Sequence, residues 1–345
     1  MKKMSIVLLC LLLVLCGCSK KDILDEPSKI PDNVIEDVTE KIEKNNYVSY
    51  NGYLKVDGVN LKNQYDETIV LKGISSHGLQ WYKDYVSYDV LKELKDSWNI
   101  NVFRIAMYTN EGGYISDRSI KNKVIEIVND AIELDMYVII DWHILSDNNP
   151  NQYLEEAKEF FIEMSTLYKN VPNVIYEICN EPNGNVTWDN DIKPYAENII
   201  GEIRKNSDKS IIIVGTPNYS QDVDIVSKNP IDEDNIMYAL HFYAGTHQEW
   251  LRDKMNIALS NNLPIFVSEW GTSDASGNGG FFEESSREWL YFLDKNNISW
   301  VNWSLCDKNE SSALLKTDTN IQGIFDDNYL SESGKFIKQI LTKQL

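Results

Sequence analysis

Two glutamates at the ends of apolar runs are the residues of this sequence best suited to chemistry. Glu181 lies near the end of residues 174–182 (VIYEICNEP), and Glu269 lies in residues 263–271 (LPIFVSEWG). Both runs have the length and the β-branched and aromatic composition of strands. A carboxylate at a strand end is costly unless it has partners or a function. Two carboxyls flanking one glycosidic bond are the usual equipment for hydrolysing it, so the pair predicts sugar chemistry if both strands belong to one barrel.

The rest of the chain predicts the elements that would position this pair, because short apolar runs alternate with longer amphipathic stretches. Eight strand candidates begin 26 to 37 residues apart: 68–74, 101–107, 137–143, 174–181, 210–216, 236–243, 263–271 and 299–305. The helical candidates are 88–98, 122–134, 152–168, 192–205, 248–260, 284–294 and 333–345. Most of the strand runs are apolar throughout, as in parallel strands buried on both faces.

Eight such units predict an α/β fold, a single (β/α)8 TIM barrel. Residues 51–61 predict a small hairpin that plugs the barrel floor. An open doubly wound sheet is the alternative. It is disfavoured because no glycine-rich phosphate loop follows the first strand and because polar residues recur at nearly every strand end.

The first 46 residues predict export and anchoring rather than part of the fold. Residues 1–3 are basic, residues 6–15 are apolar, and the sequence around Cys18 resembles a bacterial lipobox. This pattern predicts a lipoprotein signal peptide over 1–17, lipid attachment at Cys18, a flexible tether over 18–46 and a catalytic domain over 47–345. An ordinary signal peptide that happens to contain cysteine is the alternative. We expect a secreted protein anchored to the outer face of a bacterial membrane.

Charge and cysteine content narrow the range of partners. The net charge is −20, and loss of Lys2 and Lys3 with the signal peptide takes it to −22 (−20 − 2). Such a chain should be repelled by nucleic acid and suits a neutral substrate.

Cys179 and Cys306 follow strands placed on opposite sides of the barrel, so we expect buried thiols rather than a disulfide. No Cys/His spacing suggests a metal site. We expect no cofactor and a monomer.

In barrel enzymes the site lies at the carboxyl ends of the strands, and the residues there are polar and aromatic. All four histidines of the chain lie at or just beyond strand ends. The candidates in chain order are His77, Trp81, Arg104, Tyr108, Asp141, Trp142, His143, Asn180, Glu181, His241, Tyr243, His247, Glu269, Trp303, Lys308 and Glu310.

The two glutamates need different environments, because one must be protonated and the other ionised. Arg104 lies in an apolar strand, keeps its charge and needs an anion. Near Glu269 it would keep that carboxylate ionised, and Tyr243 is placed to donate a hydrogen bond to the same group. Glu181 is expected in a tighter, less charged pocket that suits the acid. Asn180 is placed to bond the sugar 2-OH.

Two further sets of residues have predicted places. Glu177 faces the same way as Glu181, one layer deeper, and is expected to be a buried structural anion paired with a cation of the barrel. Some aromatic residues are candidates for stacking on sugar rings, namely Trp81, Tyr108, Trp188 and Trp303. Others are expected to pack between helices and sheet, namely Trp98, Trp289 and Trp300.

Taken together, these strand-end residues resemble glycoside hydrolase family 5 over the domain from about residue 50 onward. The resemblance implies a retaining mechanism with Glu181 as acid/base and Glu269 as nucleophile. It implies supporting roles for Arg104, His143, Asn180, His241 and Tyr243. We expect His77, Trp81, Tyr108 and Trp303 to contact the substrate. Cys179 departs from the small residue that the family usually has before Asn180.

Residues 302–313 resemble the bacterial endoglucanase branch of that family, in which Lys308 and Glu310 would hold a glucose on the non-reducing side of the cut. The resemblance therefore implies a retaining endo-β-1,4-glucanase. A related hydrolase acting on mannan, xyloglucan or mixed-linkage glucan is one alternative. A surface glycan-binding lipoprotein that has lost catalysis is another, disfavoured because both carboxyls are present.

Overall fold

The computed structural model describes residues 47–343, and eight parallel strands within it form a closed barrel. The strands within these residues are β1 (Lys55–Asp57), β2 (Asn60–Lys62), β3 (Lys72–Ser76), β4 (Val102–Tyr108), β5 (Tyr137–His143), β6 (Val174–Glu177), β7 (Ile212–Val214), β8 (Ile236–Tyr243), β9 (Ile265–Gly271) and β10 (Trp300–Leu305). From β3 onward each strand pairs with the next, and β10 pairs with β3. The predicted (β/α)8 barrel is confirmed.

Seven long helices follow barrel strands, and they lie within a few residues of their predicted bounds. They are Tyr88–Trp98, Ile120–Glu133, Leu154–Leu167, Lys193–Arg204, Glu249–Ser260, Glu283–Lys295 and Glu332–Thr342. The short helices are Val48–Asn51, Leu79–Tyr82, Pro217–Ser220 and Val223–Val226, with a π-helical turn at Trp188–Ile192. The remaining turns are 3-10 helices at Lys83–Tyr85, Pro150–Tyr153, Ile321–Phe325 and Asp327–Tyr329.

Side-chain caps and an apolar stripe explain where the helices begin and which face they bury. Ser87 accepts a hydrogen bond from the backbone N–H of Val90, and Ser331 accepts one from Gly334, as N-caps do. The helix after Ser87 buries Val90, Leu91, Leu94 and Trp98 against the sheet. Between residues 47 and 343, no helix combines the length and the apolar character needed to cross a membrane.

Three predicted strands differ most from the structure, and two of these differences have a local cause. The segment 68–71 does not start the barrel, because Ile69 donates to Leu61 and so extends the hairpin instead. Strand β6 ends at Glu177 rather than at 181. Beyond it the backbone N–H of Asn180 turns to the carbonyl of Trp142. Strand β7 is reduced to its three central residues, Ile212–Val214.

The hairpin β1–β2 closes the floor of the barrel, as predicted. Strands β1 and β2 pair antiparallel. The buried side chains of Leu54, Leu61 and Leu71 join one apolar cluster with residues from the amino ends of the barrel strands, among them Ile139 and Phe266. This cluster is separate from the large one between barrel and helices. The sealed floor leaves the opposite, carboxyl end of the strands for the site.

The structure also bears on the cysteines and on the amino terminus. Cys179 and Cys306 are both buried and unpaired, which confirms the expectation of small fillers. The signal peptide, Cys18 and the tether lie in residues 1–46, outside the described residues.

Candidate active site

A cavity of about 390 Å³ opens at the carboxyl ends of the barrel strands. The predicted residues on its wall are His77, Tyr108, His143, Glu181, Tyr243, Glu269, Trp303, Lys308 and Glu310. His247, also a strand-end candidate, lies on the same wall. The wall residues that the sequence did not predict are Leu145, Tyr219, Gln221, Ala275, Ser276 and Gly277. Arg104, Asn180 and His241 are buried behind this wall. Arg104 bonds Glu269, His241 bonds Glu181, and Asn180 accepts a hydrogen bond from Arg104.

Glu181 and Glu269 face each other across the cavity. A carboxyl oxygen of Glu181, a ring nitrogen of His241 and a carboxyl oxygen of Glu269 all lie within 4.8 Å of one another. Both glutamates are largely buried, with 9% and 4% of their surface exposed. Carboxyl groups about 5–5.5 Å apart are those of retaining glycosidases, whereas inverting enzymes need about 6.5–9.5 Å to admit a water molecule. The spacing therefore fits direct attack by one carboxylate.

Glu269 is held as an anion by two donors. Nη1 of Arg104 lies 3.1 Å from Oε2, and the hydroxyl of Tyr243 donates to Oε1 at 2.8 Å. Burial on its own raises the pKa of Glu269. The positive charges of His241 and Arg104 outweigh burial and hold the pKa below its ordinary value. The carboxylate is thus ionised and oriented, as a nucleophile must be.

Glu181 is biased toward the protonated form. Burial raises the pKa of Glu181 above its ordinary value, and the negative charge of Glu269 adds to this effect. The hydrogen bond with His241 opposes it without reversing it. The two carboxyls therefore have pKa values shifted in opposite directions, which is the pattern that separates an acid from a nucleophile.

The expectation of a less charged pocket around Glu181 is wrong. Nδ1 of His241 lies 2.9 Å from Oε1 of Glu181, and the pKa of His241 is raised to about 9. Burial lowers this pKa, but hydrogen bonds to Glu177 and Glu181 more than compensate. The two carboxyls differ because Arg104 and Tyr243 contact Glu269 directly, while Glu181 has only the imidazolium.

A buried chain of hydrogen bonds connects Glu181 with Arg104. Nε2 of His241 lies 2.9 Å from Oγ of Ser268, and Ser268 donates to Oε1 of Glu177 at 2.7 Å. Nε of Arg104 then donates to Oε2 of Glu177, also at 2.7 Å. With His241 protonated, both ring nitrogens donate, so each group in the chain has one orientation. The chain fixes the imidazole that positions Glu181.

Arg104 lies at the centre of several acceptors. Besides Glu177 and Glu269, its Nη2 contacts Asp141 at 3.0 Å and donates to Oδ1 of Asn180 at 2.7 Å. Burial lowers the pKa of Arg104, but the surrounding carboxylates raise it by more than burial lowers it. The guanidinium therefore keeps its charge. Glu177 is fully buried with its pKa lowered to about 2: burial opposes this shift, and Arg104 and His241 outweigh burial. It is the structural anion that the sequence predicted.

The amide of Asn180 is held by protein groups on both sides. Its Nδ2 donates to the carbonyl of Ile144 at 3.0 Å and to Nε2 of His143 at 3.2 Å. Burial lowers the pKa of His143 to about 3, so this ring is neutral and donates from Nδ1 to Asp141 at 2.6 Å. Both amide protons of Asn180 are engaged. In the predicted contact, a sugar 2-OH would therefore have to donate its hydrogen bond to the second lone pair of Asn180 Oδ1.

Aromatic rings form one side of the cavity. The ring of His77 lies 5.0 Å from that of Trp303, and Tyr108 lies 4.1 Å from His143, both measured between centroids. Trp81 packs edge-on against Tyr108 at 5.1 Å and is 50% exposed. An exposed indole at the rim beside buried rings suits stacking on a pyranose face, so the predicted sugar contacts of these residues share one side of the site.

The carboxylate of Glu310 is shielded from solvent, although its partner Lys308 is 48% exposed. Nζ of Lys308 lies 2.6 Å from Oε2 of Glu310, and the side chain of Glu310 is only 6% exposed. Ser312 donates to Oε1 at 3.1 Å, and Nε2 of His77 lies 4.0 Å from the same atom. The carboxylate is therefore fixed in the cavity wall beside the aromatic rings.

Trp188 does not line the site, and the stacking role predicted for it is wrong. Its side chain is 2% exposed, its Nε1 donates to the carbonyl of Asn229 at 2.8 Å, and its ring packs against Tyr238. Trp188 begins a helical turn, whereas Trp303 lies within strand β10 of the barrel. Trp98, Trp289 and Trp300 are buried, as predicted.

Tyr219 is a ring on the cavity wall that the sequence did not predict, and it is 43% exposed. Asn218, Tyr219 and Ser220 have φ of 57°, 60° and 56°, the left-handed region that few non-glycine residues adopt. The turn is held because Tyr219 donates to the carbonyl of Pro182 and Ser220 donates to that of Asn180. It thus places Tyr219 on the cavity wall beside the Glu181 segment. Such strain at a binding surface is typical of functional loops.

Two groups of residues between 47 and 343 have the spacing of metal ligands. Glu181, His241 and Glu269 form the first, but both nitrogens of His241 are engaged and its ring is cationic. His77, Cys306 and Glu310 form the second. Burial raises the pKa of Cys306 to about 12, and its sulfur lies 3.6 Å from the hydroxyl of Ser304.

Comparison with known proteins bears on the identity of this site. Residues 62–309 match the family model described as Cellulase (glycosyl hydrolase family 5). A solved structure named Cellulase Cel5C_n is 43% identical with a TM-score of 0.83, covering 86% of this chain and 94% of that one.

Two relatives are named endoglucanases. The chain is 58% identical over 292 residues to an Endoglucanase of Clostridium saccharobutylicum, which covers 84% of this chain and 65% of that protein. It is 57% identical over 274 residues to Endoglucanase A of Evansella cellulosilytica, which covers 79% of this chain and 56% of that protein. The chain thus spans less than two thirds of the length of either relative.

Proposed function

Since this chain belongs to glycosyl hydrolase family 5, we propose that it is an endo-β-1,4-glucanase that cuts internal bonds of cellulose-like glucans with retention at the anomeric carbon. The observation that carries the proposal is the pair Glu181 and Glu269, whose oxygens lie within 4.8 Å and whose pKa values are shifted in opposite directions. The names of the relatives given above support a β-glucan as substrate.

In the first step, the carboxylate of Glu269 attacks the anomeric carbon while Glu181 protonates the departing glycosidic oxygen. The carbon–oxygen bond breaks, and a covalent glycosyl ester forms on Glu269. Glu181 becomes an anion at this moment. The cationic ring of His241, 2.9 Å away, stabilises it without moving, because the hydrogen bond through Ser268 already fixes the ring.

In the second step, Glu181 acts as a base. It takes a proton from a water molecule, whose oxygen attacks the anomeric carbon and breaks the ester to Glu269. Two inversions give net retention. The carboxylate of Glu269 regains its negative charge in this step. Arg104 and Tyr243 stabilise that charge through the same hydrogen bonds of 3.1 and 2.8 Å that they make in the resting protein.

Specificity for glucose is proposed to come from the side of the cavity that carries Lys308 and Glu310. Glucose and mannose differ only in the orientation of the 2-OH, equatorial in glucose and axial in mannose. Glu310 is buried and oriented by Lys308 and Ser312, so it offers acceptors at fixed positions. A site built to bond particular hydroxyls discriminates strongly against a substrate that leaves those groups unpaired.

A panel of soluble polysaccharides tests the proposal. We expect hydrolysis of carboxymethyl cellulose and of mixed-linkage β-glucan, with little release of reducing ends from unbranched mannan. Faster cleavage of mannan than of glucan would overturn the substrate assignment and leave the two-carboxylate mechanism standing. A protein that binds these glucans but hydrolyses none of them would instead be a glycan-binding protein.

We also propose that the mature protein begins at a lipidated Cys18 and is held on the outer face of a bacterial membrane. The lipobox-like residues before Cys18 support this location. Substitution Cys18→Ala should release the protein from the membrane fraction or block its processing. A wild-type protein recovered from the medium with an unmodified amino terminus elsewhere would exclude the anchor.

A further inference from the structure

Trp250 is a large apolar side chain that stays exposed beside the cavity without having been assigned to it. It is 45% exposed and lies at the second position of the helix Glu249–Ser260. Its ring centroid is 5.7 Å from that of His247 at an interplanar angle of 60°, so the imidazole does not lie flat on the indole. Nζ of Lys254 approaches the ring at 5.6 Å from its centroid. The indole is therefore fixed in place yet open to solvent.

His247 connects this indole to the cavity. Its ring lines the cavity wall, and its Nδ1 accepts a hydrogen bond from the backbone N–H of Tyr243 at 2.8 Å. Burial lowers the pKa of His247 to about 4, so the neutral ring carries its proton on Nε2. Within residues 47–343, no hydrogen bond from this nitrogen to another residue is formed. The ring thus presents an N–H donor whose direction is set by the protein.

The two residues lie on the side of the barrel away from the aromatic rings and the Glu310 carboxylate. In the strand order of the barrel β7 lies opposite β3, and β8, which His247 follows, is the neighbour of β7. The loop after β7 carries Tyr219 and Gln221 on the cavity wall. Lys254 bonds Asp222 of that loop at 2.5 Å. Lys254 thus contacts both the Trp250 ring and the loop that carries Tyr219.

We propose that Trp250 and His247 form a binding position for a glucosyl unit on the leaving-group side of the cut. The sugar ring would stack on the exposed indole, and one hydroxyl would accept a hydrogen bond from Nε2–H of His247. A pyranose offers both an apolar face and a rim of hydroxyls, which matches this combination of platform and donor. The inference rests on the proposed glucanase activity. It adds that the enzyme should prefer substrates long enough to place a glucosyl unit on Trp250.

The test compares two substrates that differ in what lies on the leaving-group side. Nitrophenyl β-cellobioside carries only an aryl group there, whereas cellohexaose extends sugars over that side. We expect Trp250→Ala to lower the ratio of kcat/KM on cellohexaose to that on the aryl substrate by about three- to tenfold. Trp250→Phe keeps a ring and should restore most of the ratio. Tyr291→Ala removes a ring that is 71% exposed on the helix Glu283–Lys295 and should leave the ratio unchanged.

An unchanged ratio in Trp250→Ala, or an equal fall in Tyr291→Ala, would overturn the inference while leaving the glucanase activity intact. If the wild-type protein hydrolyses neither substrate, the proposed function fails. Calorimetric titration of cellohexaose into the wild-type and Trp250→Ala proteins then tests, without any need for catalysis, whether Trp250 binds a glucosyl unit. Weaker binding by the variant supports it, and equal affinity or no binding by either protein overturns it.

Discussion

Nδ1 of His241 lies 2.9 Å from Oε1 of Glu181, so the carboxyl expected to donate the proton contacts a buried cation. The cation stabilises the carboxylate that is left after proton donation. It does not ionise Glu181 beforehand, because burial and the charge of Glu269 keep the pKa of Glu181 above its ordinary value. The site is therefore arranged for a glutamate that must lose its proton in one step and regain it in the next.

Leaving-group quality should separate the roles of the two glutamates. Glu181→Gln removes the proton donor, and Glu269→Gln removes the nucleophile, so each should lose about 10³-fold or more of its activity on glucan. An aryl cellobioside with a good leaving group departs without a proton and should restore much of the rate to Glu181→Gln alone. Kinetics on a series of aryl cellobiosides would measure this. If both variants respond alike, the role assignment is wrong.

Tyr243→Phe should move the acid limb of the pH profile to higher pH. The hydroxyl of Tyr243 stabilises the ionised form of Glu269, whose pKa is below its ordinary value in the wild-type site. Activity requires ionised Glu269, so it is lost as pH falls through that pKa. Removing the donor raises the pKa, and the loss then begins at higher pH. We also expect kcat to fall about tenfold.

The pH dependence of kcat/KM for both proteins measures this shift. The alkaline limb reports the loss of the proton from Glu181, and Tyr243→Phe should affect it less. Tyr291→Phe, at a tyrosine on the outside of the barrel, is the matched control and should reproduce the wild-type profile. Identical acid limbs in wild type and Tyr243→Phe would show that this hydroxyl does not set the ionisation of Glu269.

Glu177→Ala should destabilise the fold by about 3 kcal/mol, because it removes one partner of a fully buried ion pair. Arg104 keeps Asp141 and Glu269, which places the loss at the lower end of the range for such pairs. Urea unfolding would measure the difference. Glu163→Ala breaks an exposed pair with Lys121 and should change stability by less than about 1 kcal/mol. Equal losses in the two variants would contradict the structural role of Glu177.

Glu310→Ala should weaken hydrolysis of short cello-oligosaccharides without unfolding the protein. The carboxylate is buried against the cavity and paired with Lys308, so its removal takes away fixed hydroxyl acceptors. We expect kcat/KM to fall about tenfold or more on a short substrate that depends on every contact. Glu283→Ala, on the outer surface, is a control of the same chemistry. Unaltered kinetics would mean that Glu310 does not contact the sugar.

The barrel and most of the site residues were predictable because they follow from strand periodicity. Tyr243 and Glu269 lie near the carboxyl ends of β8 and β9, and Arg104 reaches the same site from the third position of β4. The geometry of a closed barrel brings such inward residues together. The same reasoning predicted that Glu177 would be a buried anion, which the structure confirms, although β6 ends at Glu177 and Glu181 lies beyond it.

The rest depends on contacts that periodicity does not encode. The partner of Glu181 was missed because β6 ends at Glu177, so Glu181 lies on a bend directed toward His241. Tyr219 was missed because its turn is left-handed without a glycine. Trp188 was misplaced because an aromatic residue in a helical turn looks in sequence like one in a loop.

The stereochemistry of the first product tests the central claim most directly, namely that Glu269 attacks the anomeric carbon itself. A proton NMR time course on a soluble β-1,4-glucan oligosaccharide, recorded before mutarotation, identifies that anomer. Because the two carboxyls are too close to admit a water molecule between Glu269 and the sugar, we predict that the β-anomer forms first. The α-anomer appearing first would contradict the account.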